Sequence, residues 1–308
     1  MTVAATPEAT AAIAARTGRP SLRHRLAERG IDRVLLLLVP GVLFLVLLFV
    51  YPFLYGLQLS FAPEQGGPLS NYQTFFSDPY LRDTIATTMW IGLPAALINV
   101  LASVPIAYQM RGRFRGKRTL TTLLVVPITL GTVLTAEGLI QYVGPSGWVN
   151  KFLRDFGLVD QPLILIHNYW GVFFSLVITG FPFAFLLVLS YLSGIDPTLE
   201  QAAASMGAGW RQRFRYVTLP LLAPGLAITF CLSFVLAFSV FPSANLVGDP
   251  SGSTRVIAIA AFHAAFEQYD YSMGSAIAMI MGAVMLAVIA LVLGWRSTLY
   301  RGATGGKG

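Results

Sequence analysis

The chain has 308 residues, 55% of them hydrophobic and 11% charged, with a net charge of +7. A water-soluble domain carries about 25% charged residues, so this composition excludes a soluble globular protein and makes the bilayer the main solvent. The positive charge does not indicate nucleic acid, because the basic residues stand in segments beside apolar runs. Cys231 is the single cysteine, which rules out an intrachain disulfide, and the three histidines lie far apart with no metal-ligand spacing.

Residues 1–20 are rich in Ala and Thr with Gly and Pro, a composition expected to be disordered. Residues 23–33 read either as a basic helix on anionic headgroups or as a plain topogenic charge cluster. Six apolar runs follow, at about 34–59, 84–110, 120–143, 170–192, 221–244 and 272–295. Each reaches the roughly 20 residues needed to cross a bilayer, and the backbone in lipid must bond to itself, so all six are expected to be helices. The first is too long for a signal peptide and lacks a small-residue cleavage pattern. Pro52, Pro94, Pro105, Pro127 and Pro182 fall within spans as expected kinks. Trp90, Tyr108 and Tyr142 stand near span ends as interface anchors.

Between the third and fourth spans, Trp148, Val149, Phe152, Leu153 and Phe156 recur at helical spacing and predict an amphipathic interfacial helix. A second long connecting segment, 250–271, carries an expected helix at 257–266. Both segments are candidates for docking a soluble binding protein or for plugging the outer face. Gly144-Pro145-Ser146-Gly147 contains a Gly-x-Ser-Gly with His167 downstream, which resembles the nucleophile motif of rhomboid-type intramembrane proteases. The same four residues also form a plain turn signal.

Lys and Arg set the orientation. Seventeen of the 21 stand in the N-terminal arm, the second and fourth loops and the tail, against four (Arg82, Lys151, Arg154 and Arg255) on the other side. Both termini are therefore expected in the cytoplasm. The domains are a basic arm over 1–30, a transmembrane domain over 31–300 and a tail over 301–308.

Of 14 acidic residues, only Glu137 falls inside a span. A carboxylate at that depth is costly and usually faces an interior cavity, and Gln141, one turn on, shares its face. Glu137 either lines a solute path or is a structural carboxylate bonded to a neighbouring helix or a partner subunit. Thr129 and Thr132 add polar groups on earlier turns. The fifth span ends in Ser239, Pro242, Ser243 and Asn245, where Pro242 removes a donor. That end is either an irregular solute-contact region or a simple helix end.

The cytoplasmic loop at about 193–220 carries the most specific pattern. Asp196-Pro197 reads as a helix start, Ala202, Ala203 and Ala204 favour helix, and Glu200 places an acid in the first turn. Gly207 can end that helix at positive φ, and Pro220 would open the next one. This loop resembles that of permease subunits of binding-protein-dependent ABC importers, whose signature is Glu-Ala-Ala, three residues, Gly, nine residues, an aliphatic, any residue and Leu-Pro. Gly207, Val217, Leu219 and Pro220 fall in register. Gln201 takes the family's acidic position, with Glu200 one place earlier.

The resemblance implies an all-α, six-span fold of the type I importer class, in a prokaryotic inner membrane. It implies a second permease, two ATPase subunits and an extracytoplasmic solute-binding protein as partners. This chain would bind no cofactor, and ATP would be used by the ATPases; no P-loop occurs in the sequence. Glu200, Gln201, Ala202, Ala203 and Gly207 would form the docking face, with Arg211 and Arg213 placed to pair with acidic ATPase residues. Short flanking matches, Leu69-Ser70-Asn71-Tyr72 and Gly274-Ser275-Ala276-Ile277 among them, point to the polyamine branch. A sugar or glycerol-phosphate importer is the second reading, and a secondary transporter lies outside the class.

Overall fold

Six helices long and apolar enough to cross a membrane run through the computed structural model, which describes residues 33–112 and 116–300. The expectations for the arm at 1–30 and the tail at 301–308, and basic positions Arg113 and Arg115, lie outside the described residues. No strand occurs among the described residues. The chain clusters into two compact units, 1–58 and 59–308.

In the first unit, helix α1 begins as Arg33–Leu45, widens to a π turn over Val46–Val50 and resumes at Tyr51. The π turn ends one residue before the Tyr51-Pro52 step, and the Tyr51 N–H reaches back to the Val46 carbonyl. Proline has no N–H and its ring clashes with the carbonyl four residues earlier. A wider turn shifts the register and removes that clash.

The second unit holds α2 (Ser70–Ser77), α3 (Pro79–Met110), α4 (Lys117–Val143), the short α5 (Trp148–Asp155) and α6 (Tyr169–Ser193). It continues with α7 (Pro197–Ser205), α8 (Trp210–Phe238), α9 (Pro242–Val247), α10 (Ile257–Glu267) and α11 (Tyr271–Tyr300). Side-chain caps set three of the starts. Asp78 accepts from Tyr80 N–H at 2.9 Å, Asn168 from Gly171 N–H at 3.2 Å and Asp196 from Thr198 N–H at 2.9 Å. Asp78 and Asp196 are each followed by proline at the first helical position. The Asp78 cap starts the second span five residues before its expected boundary.

Helix α6 packs against α3, α4 and α8. One core joins Ile91, Ala95, Phe234, Phe238, Ile257 and Ile277, and a second gathers Ala107, Met110, Phe185, Val188, Leu192 and Leu222 beside the α6–α8 connection. The most apolar stretches of α3, α6 and α8 are each 44% buried, whereas the third run is 6% buried, so α4 turns most of its surface outward.

Two further features differ from expectation. The fifth span was expected at 221–244. Helix α8 instead starts at Trp210, crosses a π turn at Phe214–Thr218 and stops at Phe238. Pro220 therefore does not open a helix. It sits inside one, just past a π turn in which the Leu219 N–H reaches the Phe214 carbonyl, the arrangement already seen before Pro52. In the third span the break falls at Gly131, at φ 74° and ψ 178°, and not at Pro127. That backbone region is open essentially to glycine alone.

Candidate coupling loop and translocation path

Helix α7 ends as expected. Met206 closes it and Gly207 follows at φ 88°, with Gly207 N–H bonded to the Ala204 carbonyl and Ala208 N–H to the Ala203 carbonyl, both at 3.0 Å. This pair of bonds is a Schellman ending, which needs a left-handed residue at the glycine position.

The acid of the first turn does not face out. Glu200 is 8% exposed. Its Oε1 accepts from Arg111 Nη1 at 2.9 Å and from Thr218 Oγ1, and its Oε2 accepts from the Tyr108 hydroxyl at 3.4 Å. The donors come from the C-terminal end of α3 and from the π turn of α8. Burial pushes the Glu200 carboxyl up, but the Thr218, Arg111 and Tyr108 donors outweigh it and hold the group below the ordinary carboxylate range. The Arg111 guanidinium also lies 5.7 Å from the centre of the Tyr108 ring, which packs edge-on against Phe214 at 5.1 Å.

The expected docking face is therefore corrected at two positions. Residues 200 and 203 lie on one side of a helix, and both Glu200 and Ala203 are buried against the chain itself. Gln201, Ala202, Gly207 and Arg211 are exposed, as is Pro220, while Leu219 is half-buried. Arg213 is also half-buried, and its Nε has no hydrogen-bond partner among the described residues.

A cavity of about 280 Å³ opens among α3, α4, α6 and α8 at the point where α8 stops. Its polar lining is Asn99, Thr132, Thr179, Ser233 and Ser239, with no ionisable side chain. Asn99 Nδ2 donates to the Leu176 carbonyl at 3.2 Å, but Asn99 Oδ1 and Ser233 Oγ are buried without a hydrogen-bond partner in the described chain. Such groups are costly unless something else satisfies them. Of the expected path residues, only Ser239 lines this cavity. Ser243 is buried nearby, again with an unpartnered Oγ, and Asn245, Glu137 and Gln141 are exposed outside it. Thr132 was already visible as a polar residue on α4. Asn99, Thr179 and Ser233 were missed, although each is a polar side chain within a span and so carried a legible signal.

The protease alternative finds no support in the geometry. His167 Nδ1 lies 3.3 Å from the Gly248 carbonyl, and no hydrogen bond joins His167 to Ser146 among the described residues. Beside α2 and α10, a larger cavity of about 570 Å³ is lined by Glu64, Asp78, Asp270, His263 and Arg255 among others. The Arg255 guanidinium stacks 3.3 Å from the centre of the Tyr80 ring, and its burial lowers its pKa from the ordinary arginine value.

Residues 9–301 match the family described as binding-protein-dependent transport system inner membrane component. The chain belongs to that family. The permease is 30% identical over 217 residues to a probable sulfate transport system permease of Prototheca wickerhamii, covering 70% of this chain and 82% of that one. It is 27% identical to a trehalose/maltose transport system permease of Thermococcus litoralis, covering 86% and 92%. A spermidine/putrescine transport system permease of Haemophilus influenzae is 28% identical, covering 66% and 74%. A solved bacterial alginate ABC transporter in complex with an alginate-bound periplasmic protein has the same fold, with a TM-score of 0.74 at 20% identity over 87% of this chain and 95% of that one. The permease is thus the multi-pass membrane component of an ABC importer that works with a binding protein, and it is a transport subunit without an ATPase site of its own.

Proposed function

We propose that this permease forms half of a solute path in a prokaryotic plasma membrane, with both termini in the cytoplasm. A second permease, identical or distinct, supplies the other half, and one of the two ATPase subunits docks on α7. The observation that carries this reading is the two-sided character of α7. Gln201, Ala202 and Gly207 are open to a partner on one side, while Glu200 and Ala203 fasten the other side to the bundle. ATP-driven closure of the ATPase pair would move α7, and α7 would move the spans. The test is Gly207→Arg, which places a long side chain on the exposed side: the chain should insert normally and lose ATPase co-purification. Retained co-purification would remove the docking assignment.

The solute reading rests on the cavity at the end of α8. The unpartnered Asn99 amide oxygen and Ser233 hydroxyl, with no carboxylate in the lining, suit a hydroxyl-rich neutral solute better than a polyamine, whose ammonium charges call for carboxylate partners once desolvated. This favours the sugar-type reading over the polyamine-type one, in line with the trehalose/maltose relative. Uptake into proteoliposomes with the binding protein should be competed by a neutral disaccharide; competition by spermidine alone would reverse the preference. The outer cavity beside Arg255 and Tyr80 is the proposed docking side for the binding protein.

A further inference from the structure

A helix of nine residues is too short to hold its place by itself. The buried residues of α7 are Glu200 and Ala203, and Ala203 offers only a methyl group. The position of α7 therefore depends on the Glu200 carboxylate, which reaches Arg111 at the end of α3 and Thr218 in the π turn of α8 at the same time. Those two spans also pack directly on each other and on α6. Glu200 is buried and Arg111 half-buried, so breaking the pair leaves a carboxylate away from bulk water without its cation, and the contact is not readily exchanged for water.

Resting on the reading of α7 as the ATPase-docking helix, we propose that Glu200 is a positioning strut. It makes α7, the end of α3 and the start of α8 move as one body, so that displacement of α7 by a docked ATPase shifts both spans together. The cavity lined by Asn99 of α3 and Ser233 of α8 lies on the same two helices, and their joint movement would change its width. Arg111 is the partner that carries the load, and the Thr218 hydroxyl fixes the carboxylate's orientation.

The test uses the full complex with its ATPases. Spin labels at Ser205→Cys on α7 and Gln109→Cys on α3, in a Cys231→Ser background, report the separation of the two helices before and after ATP with vanadate. One narrow distance distribution, unmoved by nucleotide, is expected with Glu200 in place. Glu200→Ala and, separately, Arg111→Ala should widen it about twofold as the restraint between the elements is lost. The exchanged pair Glu200→Arg with Arg111→Glu should narrow it again, which a purely local packing role would not produce. A distribution that stays narrow in Glu200→Ala overturns the strut. Should that variant fail to insert, the Arg111→Ala distribution decides alone, widening in support and staying narrow against. Failure of the docking reading looks different: the unsubstituted complex would not retain its ATPases.

Discussion

Two glutamates of this permease stand in opposite circumstances. Glu200 belongs to a loop outside the membrane-spanning runs, yet it is buried and bonded to three donors from two spans. Glu137 belongs to a span, yet it is exposed on the outward surface of α4, and no hydrogen bond or ion pair holds it among the described residues. The difference shows that depth in the sequence pattern and burial within one chain are separate properties. A loop acid can be pulled inward by cations at neighbouring helix ends, and a span acid can be left on a face that another surface must cover. The bundle is closed around α6 near the loop and open along α4.

The largest expected effect breaks the closed side of this comparison. Glu200→Ala should destabilise the chain by about 2 kcal/mol, the cost of removing a buried carboxylate from the half-buried Arg111 and its other donors, seen as a lower midpoint in thermal unfolding of the purified protein. The same contact sets a pH dependence. The folded-state pKa of Glu200 lies below its unfolded value, so its stabilisation is present above the ordinary carboxylate range and is lost as pH falls through the folded pKa. Glu200→Gln should flatten the acid limb of a midpoint-against-pH curve; an unchanged limb would mean that this carboxylate does not carry it.

On the open side, Gly131→Ala should cost up to about 2 kcal/mol, because alanine is strained at φ 74° and ψ 178° even where space is free. A helix straightened at that point would also move Thr132, the neighbouring cavity residue. Ligand-independent accessibility of a Thr132→Cys probe, compared with and without the Gly131 substitution, reads that movement. Gly207→Ala should cost about 1 kcal/mol through its left-handed backbone alone, since nothing crowds the added carbon. Its effect on the thermal midpoint should be smaller than that of Glu200→Ala. Smallest of all, Glu137→Gln should leave the midpoint within about 0.5 kcal/mol of the original, the range of exposed substitutions. A large loss there would mean that Glu137 is paired in the folded chain, and the contrast between the two glutamates would fail.

Much of this architecture is legible without coordinates. Long apolar runs with Lys and Arg in their flanks define six spans, because a backbone in lipid has few other ways to satisfy its hydrogen bonds. Asp196-Pro197 and Gly207 are local devices, and the structure uses both as their chemistry predicts. The amphipathic stretch after the third span forms α5, with Trp148, Phe152 and Phe156 exposed and Asn150 fully buried. Asn150 holds the Leu163 N–H and carbonyl at 2.8 and 3.0 Å, a link across 13 residues that periodicity alone does not announce. Proline positions marked irregularity in the right neighbourhoods but not its form. Two X-Pro steps are absorbed by π turns, and the sharpest break in the third span is glycine's.

The sequence by itself determined the class of molecule, the number of spans and the existence of a capped helix in the fourth loop, since each follows from contacts within a few residues or from the solvent the chain must meet. Only the tertiary structure decided which way Glu200 points and which neutral side chains gather around a common cavity. Glu200 and Arg111 are 89 positions apart, and Asn99 meets the Leu176 carbonyl across 77. Such pairings depend on how α3, α6 and α8 pack, and no periodicity within one helix specifies its rotation against another.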